Sequence, residues 1–495
     1  MTPAIRAPAS PGETARRALI AGLRGVRPRP RWRESALLAA VGIALVVGSL
    51  SLGSFWSWQA SGVPGATIPP TVRLANAGQL VVLLGAFAAL HLAQVLTGRR
   101  TDQVLLPAVA LIGGIGLLLM ERLPQDLAGG SAGLSRTQLT WWLLAIPVLG
   151  ILGIAVRSDA WLRRYKYSWA AAGIVLLLLT FVFGEEVNGA RLTIDLGPIS
   201  FQPSEVLKVI LVIFLAGYLS EWRPVLATAS TRLGPIRVPP LPYLVPMASM
   251  WAMALAIVVV QRDLGAALLF FAVFLLLLFI ATARWSYVVL GIGLFLVAAW
   301  LAYLLFDTVR VRVDIWLDPW SDPLGAGYQV IQALIAFARG GLVGTGLGAG
   351  LPMVDGRIPI PAVHTDFPFA ALGEELGLIG VLAILGLYLV IVERGLRIAA
   401  AAADEFRALL AAGLALVIGV QAFIIAAGNL KLIPLTGITL PFVSYGGSSL
   451  LMNAVVVGLL LAISDRGVEP PPPPRQPAVP RALAHSRIGT GAAGR

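Results

Sequence analysis

Charged residues are rare in this chain, and a few of them lie at spacings that could support chemistry. Glu205 and Lys208 are three residues apart within an apolar stretch, so on a helix they would share one face. A charge at the centre of a membrane span costs about 2.5–3.5 kcal/mol, which makes this pair a candidate site. The alternative is a mutually neutralising pair that only keeps the helix in place. Glu374 and Glu375 are a second such pair, of which one acid would be structural and the other functional.

A long segment between two apolar runs, residues 307–365, holds most of the other candidate groups. Its charged residues and histidine are Arg310, Arg312, Asp314, Asp318, Asp322, Arg339, Asp355, Arg357 and His364, among others. A carboxylate can take a proton from an attacking hydroxyl, and cations can stabilise a departing phosphate. A glycosidase usually needs a second carboxyl group to protonate its leaving group, whereas a sugar diphosphate leaves without one. These residue types favour attack by a hydroxyl on a phosphate-activated substrate, and the apolar surroundings indicate a lipid phosphate.

Six glycines in the same segment admit two interpretations. They are residues 340, 341, 344, 346, 348 and 350. Glycine-rich loops can bind phosphate, but no strand–helix–strand pattern surrounds these glycines. A flexible turn is the favoured interpretation.

The composition determines the setting of these groups. The 495 residues are 58% hydrophobic and 13% charged, with a mean hydropathy of +0.84. Soluble proteins carry about 25% charged residues, so a soluble globular enzyme is excluded. The absence of cysteine excludes disulfides and thiolate chemistry, and three scattered histidines argue against a zinc site. The net charge of +12 indicates basic cytoplasmic loops and not a nucleic-acid partner.

Twelve apolar runs have about the length that a membrane-spanning helix needs. They cover residues 36–54, 76–96, 104–120, 139–156, 168–184, 203–220, 242–261, 263–283, 286–306, 366–393, 407–427 and 441–463. If both termini are cytoplasmic, most of the 37 lysines and arginines fall on inner segments, as the positive-inside rule requires. The sequence therefore predicts an all-α polytopic membrane protein of about twelve transmembrane helices. Its long loop, residues 307–365, would lie between spans 9 and 10 on the outer face.

Five sequence strings resemble the SEDS family of bacterial FtsW, RodA and SpoVE proteins. They are NGARLTIDLGPISFQPSEVLK (188–208), QRDLGAALL (261–269), DPWSDPLGAGYQVIQALIAFARGGLVGTGLG (318–348), HTDFPFAALGEELGLIG (364–380) and IPLTGITLPFVSYGGSSLL (433–451). The resemblance covers residues 104–465 and implies a ten-span core. Residues 36–103 would then be two additional spans, preceded by a basic cytoplasmic segment, 1–35, that does not look like a cleaved signal peptide. A Pro-rich, disordered cytoplasmic tail, 466–495, would follow the core.

The resemblance implies a peptidoglycan glycosyltransferase of the bacterial cytoplasmic membrane. Such enzymes polymerise lipid II into glycan strands at the outer face, for cell elongation or division, together with a class B penicillin-binding protein. Two other functions stay open, a lipid II flippase and a non-catalytic scaffold for that penicillin-binding protein. The resemblance implies no certain cofactor, although Mg²⁺ or another divalent cation could share the charge of the lipid diphosphate.

The resemblance also ranks the candidate residues. Asp322 occupies the position of the family's essential aspartate, and Asp318 is the fallback. The residues that match family motifs with expected substrate contacts are Arg312, Arg191, Glu205, Lys208, His364, Asp366 and Ser444. Two departures from the family pattern are Leu192-Thr193 in place of Arg-Trp, which puts the Arg191 contact in doubt, and Arg262 in place of a proline.

Overall fold

The computed structural model describes most of the apolar part of the chain. The described residues are 28–61, 70–125, 127, 133–156, 159–187, 190–195, 200–228, 231–233, 236–238, 263–350 and 359–465. Their α-helices are α1 (Trp32–Ser61), α2 (Pro70–Leu96), α3 (Leu105–Arg122), α4 (Leu134–Ala155), α5 (Ala160–Arg164), α6 (Lys166–Phe183), α7 (Pro203–Thr228), α8 (Leu264–Thr282), α9 (Trp285–Leu305), α10 (Asp307–Leu317), α11 (Tyr328–Gly340), α12 (Pro368–Ala400), α13 (Glu405–Asn429) and α14 (Gly447–Ser464).

The all-α polytopic fold is confirmed. Among the described residues, ten helices are long and apolar enough to cross a membrane, and the apolar part of α6 is a shorter candidate. These eleven helices coincide with eleven of the predicted spans. The remaining predicted span, 242–261, lies outside the described residues, as do residues 1–27 of the basic segment and the whole tail, 466–495.

Short strands connect some of the helices. β1 (Glu185–Val187), β2 (Ala190–Asp195) and β3 (Ser200–Phe201) form a three-stranded antiparallel sheet between α6 and α7. β4 (Thr231–Leu233) and β5 (Ile236–Val238) pair as a small antiparallel hairpin after α7. Neither sheet contributes a layer to the fold.

The packed interior is formed mainly by α3, α7, α8, α13 and α14. In the most apolar stretch of α7 most residues are buried within the protein, whereas none is buried in the most apolar stretch of α9. An apolar side chain that faces lipid costs nothing, so a peripheral helix can stay hydrophobic all round. The additional helices α1 and α2 pack on each other and against α3 and α4. The core that the resemblance covers is therefore a compact bundle with α1 and α2 at its side.

The helix α12 is broken at Gly377, which has φ 67° and ψ −170°. The break frees backbone N–H groups, which are costly if unpaired inside a membrane. Carbonyl groups of the glycine-rich segment accept them: Leu378 N–H bonds to Gly341 O at 2.9 Å and Ile379 N–H to Leu342 O at 3.1 Å. The segment 340–350 is thus the cap of a broken helix.

The same segment also uses its own N–H groups on α12. Thr345 N–H donates to Glu374 O at 2.9 Å, and Gly346 N–H donates to Glu375 O at 3.0 Å. Gly344 and Gly346 have φ of 83° and 101°, a region that favours glycine. The glycines therefore allow this segment to pack closely against α12.

Replacing Gly377 with alanine is expected to destabilise the protein by at least about 2 kcal/mol. A Cβ would lie 2.7 Å from the carbonyl of Leu342, and the backbone would hold a strained positive φ. The measurement is the thermal unfolding midpoint of the purified protein in detergent. Gly386→Ala in the same helix is the matched control, because a Cβ added there would meet no described neighbour within 4 Å. Equal midpoints for the two variants would contradict the capping role.

Candidate active site

The predicted catalytic aspartate lies in a tight turn between α10 and α11. A short 3₁₀ turn, Pro319–Ser321, leads to Asp322, whose carboxylate is exposed. Its Oδ1 accepts the N–H of Gly325 at 3.1 Å, and its Oδ2 accepts the N–H of Ala326 at 2.8 Å. A Cβ on Gly325 would collide with that carboxylate. The glycine therefore lets the backbone approach and fix the direction of the acid.

Asp318, the fallback acid, is also exposed but has a different role. It caps the 3₁₀ turn, because its Oδ1 accepts the N–H of Trp320 at 3.0 Å. One oxygen of Asp318 thus stabilises the turn that presents Asp322. This arrangement makes Asp318 a positioning residue for Asp322.

Arg312 projects from α10 toward the segment that links α13 and α14. Its Nη1 donates to the carbonyls of Leu435, at 3.4 Å, and Thr436, at 3.2 Å. Burial lowers the pKa of Arg312, and the negative charges of Asp263 and Asp366 counteract this by raising it. A guanidinium stays charged in either case. Arg312 is therefore a fixed cation beside a carboxylate.

A cavity of about 250 Å³ lies next to these groups. Its lining includes Arg312, Ala326, Gln329, Asp366 and Lys431. Since Ala326 lines the cavity and donates its N–H to Asp322, the Asp322 carboxylate lies at the cavity edge. The cavity is thus lined by two cations and the partly buried Asp366, and the exposed Asp322 carboxylate is bonded to one of its lining residues. This arrangement suits a hydroxyl nucleophile and an anionic leaving group.

Asp366 and His364 lie in the segment before α12. Burial raises the pKa of Asp366, while the Thr365 hydroxyl and Arg312 lower it. Burial lowers the pKa of His364. The His364 Nδ1 is buried and has no hydrogen-bond partner within the described residues. Burial therefore favours the neutral form of both side chains.

Ser444 holds the segments before α12 and before α14 together. Its Oγ donates to the carbonyl of Thr365 at 2.7 Å and accepts the N–H of Leu440 at 2.7 Å. The next residue, Tyr445, donates its N–H to the carbonyl of His364 at 2.8 Å. Both hydrogen bonds of the Ser444 hydroxyl are used within the protein, so its contacts are those of a positioning residue.

Lys208 and Glu205 form the predicted ion pair inside the bundle. The Lys208 Nζ lies 2.5 Å from Glu205 Oε2, and Lys208 is 2% exposed. Its Nζ also donates to Gln421 Oε1 on α13, at 3.0 Å, and to Asn453 Oδ1 on α14, at 2.9 Å. The ammonium is thus held by two hydrogen bonds, to α13 and α14, and by its ion pair with Glu205 on α7.

The remaining predicted residues are Arg191, Glu374 and Glu375. Arg191 is paired in register with Glu186 on the neighbouring strand, but its side chain lies outside the described part of the structure. Glu375 is buried and bonds to Arg122 at 2.7 Å, while Glu374 lies 3.6 Å from Arg339. Glu374 and Glu375 therefore both have cationic partners.

Three residues of the site were not among the predicted ones. Asp263 is buried, caps α8 by accepting the N–H of Ala266 at 2.9 Å, and bonds to Ser204 beside Glu205. An aspartate directly before an apolar run is a typical helix N-cap, so this signal was available. Gln421 and Asn453 have no comparable signal, because an amide in an apolar helix does not indicate its partner.

Lys208→Met is expected to cost about 3–5 kcal/mol of stability, because it leaves Glu205 buried without its cation. The unfolding midpoint in detergent measures this loss. The double variant Glu205→Gln/Lys208→Met removes both charges and should recover about 1–3 kcal/mol of coupling. If the Lys208→Met variant is as stable as the wild type, Lys208 does not hold α7, α13 and α14 together.

The stability of the protein should fall as the pH falls below about 6.5, in part because of His364. Its folded pKa is lowered, so the unfolded chain takes up a proton at a higher pH than the folded chain does. This contribution is at most about 1.4 kcal/mol for each pH unit. Unfolding midpoints between about pH 7.5 and about pH 5.5 measure it. His364→Gln should reduce the slope, and an unchanged slope would rule the contribution out.

The chain is similar to known proteins along most of its length. The FtsW/RodA/SpoVE family profile, described as "Cell cycle protein", matches residues 103–467. The peptidoglycan glycosyltransferase RodA of Mycobacterium tuberculosis is 41% identical over 399 residues, which cover 79% of this chain and 83% of that protein. The RodA of Mycobacterium leprae is 37% identical over 448 residues, covering 90% and 93%.

Solved structures agree with these relatives. A chain from a study titled "Structural coordination of polymerization and crosslinking by a peptidoglycan synthase complex" is 30% identical, with a TM-score of 0.57, and the match covers 74% of this chain and 98% of that one. The rod shape determining protein RodA of Thermus thermophilus is 27% identical, with a TM-score of 0.51, and the match covers 74% and 97%. The resemblance seen in the sequence is thereby confirmed: the chain belongs to the FtsW/RodA/SpoVE family, also called SEDS.

Proposed function

We propose that this protein is a peptidoglycan glycosyltransferase that polymerises lipid II at the outer face of the cytoplasmic membrane, for cell elongation or division. The observation that carries the proposal is the exposed Asp322 carboxylate at the edge of a cavity that contains Arg312 and Lys431. The names of the curated relatives support the same activity.

Asp322 acts as the general base. It takes the proton of the 4-hydroxyl of the acceptor N-acetylglucosamine while that oxygen bonds to the anomeric carbon of the donor N-acetylmuramic acid. The bond from this carbon to undecaprenyl diphosphate breaks, and the electron pair leaves with the diphosphate. Attack opposite the leaving group inverts the configuration from α to β. The N–H groups of Gly325 and Ala326 keep the carboxylate oriented throughout.

Cations around the cavity stabilise the leaving diphosphate. Arg312 is the main candidate, because carbonyl groups hold its guanidinium in place beside the cavity. Arg191 is a second candidate on β2. Lys208 acts indirectly, since its ammonium is engaged by Glu205, Gln421 and Asn453 and connects three helices of the bundle.

A divalent cation such as Mg²⁺ fits only as an ion shared with the substrate. The described residues contain no cluster of three or more histidine or acidic side chains that could hold a metal. Within the described part of the chain, Asp366 is the one acid that lines the cavity. It would hold the ion together with oxygens of the lipid diphosphate, and the ion would neutralise part of the leaving charge.

The partner in this proposal is a class B penicillin-binding protein that crosslinks the new strands. The related structure from a complex that combines polymerization and crosslinking supports this partner. A scaffold without activity would need the same contact surface but no oriented base. The Asp322 turn therefore favours the enzyme.

A lipid II flippase is the main rival function. A transporter would use intramembrane charges as a substrate pathway. The Lys208 side chain is 2% exposed, and its ammonium already contacts Glu205, Gln421 and Asn453, so this charge offers little to a passing substrate. The enzyme is the better supported function.

Asp322→Asn is expected to reduce lipid II polymerisation by more than about a hundredfold, because an amide cannot take the proton. The measurement is glycan strand formation by the purified protein with its penicillin-binding protein in detergent. Micelles have no second side to flip to, so glycan product from the wild type also separates the enzyme from a flippase.

Asp318→Asn is the matched control. It should retain activity within about tenfold, since an amide oxygen can still cap the turn. Wild-type polymerisation by Asp322→Asn would contradict the assignment, and a larger loss in Asp318→Asn than in Asp322→Asn would transfer the role of base to Asp318.

A further inference from the structure

A second polar cavity lies far from the Asp322 site, at the end of the bundle that the charge distribution predicts to be cytoplasmic. Its volume is about 560 Å³, and it is formed where the start of α1, the turn before α3, the end of α12, the start of α13 and the end of α14 meet. The arginines that line it are Arg33, Arg100, Arg394, Arg397 and Arg407. Of the described residues, only two acids, Asp102 and Asp465, line it as well.

The acids of this cavity are already engaged. Asp102 Oδ2 accepts two hydrogen bonds from Arg394, at 2.5 and 2.9 Å. Asp465 pairs with Arg99, whose second terminal nitrogen, Nη2, is buried without a hydrogen-bond partner in the described part of the chain. Arg407 is also paired, with Asp159 at 2.7 Å and with Asp404 at 3.5 Å. The side chains of Arg33 and Arg100 have no acidic partner among the described residues, so the cavity keeps a surplus of positive charge.

The more accessible cations are Arg33, Arg100 and Arg397. Arg33 and Arg100 are exposed, and the Arg397 side chain is 71% exposed while it pairs with Glu393. The guanidinium geometry suits phosphate oxygens, which it can bind in a bidentate manner. Apolar side chains, among them Ile398 and Ile463, line another part of the same cavity.

The neighbouring segments of the chain do not complement this charge. Residues 1–27 contain five arginines and one acid, and residues 466–495 contain the same numbers. A basic segment would be repelled by an arginine-lined cavity. An anion that neutralises the positive charge of this cavity would therefore come from outside the chain.

We propose that this arginine cavity binds a phosphate group, with the headgroup of an anionic inner-leaflet phospholipid as its main source. Basic pockets between transmembrane helices at the cytoplasmic surface suit such headgroups, and the apolar wall would contact the start of an acyl chain. A soluble diphosphate offers the same chemistry. Because Arg33 and Arg100 belong to the additional N-terminal segment, and Arg394, Arg397 and Arg407 belong to the core, the bound phosphate would join the additional helices to the core.

The test is a titration of the purified protein in detergent, followed by its thermal unfolding midpoint. Three probes are added separately: phosphatidylglycerol, phosphatidylcholine and inorganic diphosphate. Phosphatidylglycerol should raise the midpoint and phosphatidylcholine should not. Arg100→Gln/Arg397→Gln should raise the half-saturating phosphatidylglycerol concentration by about tenfold or more.

Arg223→Gln/Arg284→Gln is the control, because it removes the same charge from residues that do not line the cavity. Its half-saturation should shift by less than about twofold. If diphosphate also raises the midpoint and Arg100→Gln/Arg397→Gln weakens its effect, the phosphate site is supported and also binds soluble ligands. Equal shifts in both double variants, or no stabilisation by either phosphate probe, would overturn the proposal.

A second measurement uses only the wild-type protein, so it does not require that any variant folds. A photoreactive phosphatidylglycerol is bound to the wild-type protein, activated and mapped by peptide sequencing. Labels at residues 100–104 or 397–403 support the site. Labels that fall only elsewhere contradict it.

Discussion

The buried ammonium of Lys208 is the constraint on which the rest of the bundle depends. A charge in the interior of a membrane protein is tolerated only if it is neutralised and its donors are satisfied. Glu205 supplies the charge from the same helix, and the amide oxygens of Gln421 and Asn453 complete the set. Since the two amides come from α13 and α14, the requirement of one cation fixes the packing of three helices.

The segment between α13 and α14 connects Lys208 to the candidate active site. Gln421, which accepts from Lys208, also donates to the carbonyl of Thr439 at 2.8 Å. Elsewhere in the segment, the carbonyls of Leu435 and Thr436 hold Arg312. Arg312 and Lys208 are thus two cations linked through one stretch of irregular backbone. Irregular backbone at this depth is stable only when its polar groups are paired, and these cations and amides supply the partners.

The sequence was sufficient for features that depend on local pattern. Hydropathy identifies the spans, and the spacing of Glu205 and Lys208 identifies the ion pair, because three residues along a helix place two side chains together whatever the rest of the fold. The roles of Gln421 and Asn453 could not be predicted, since they depend on how α13 and α14 pack. The capping role of the glycine-rich segment could not be predicted for the same reason. Its carbonyls cap a break at Gly377, about thirty residues away in sequence, and no local sequence pattern predicts that contact.

The additional helices α1 and α2 pack on the core through apolar side chains and also bind it through polar contacts near one end of the bundle. Arg31 pairs with buried Glu34 and donates to the carbonyl of Asp102 at 3.0 Å, and Glu34 also accepts from His91 on α2. Asp102 in turn binds Arg394 of α12. A displacement of α1 would therefore disturb the arginine cavity before it reached the Asp322 turn, which lies in a different part of the molecule. The bond from Asp102 to Arg394 is one connection from these helices to α12, the helix that is broken at Gly377 and capped there by the segment that follows α11.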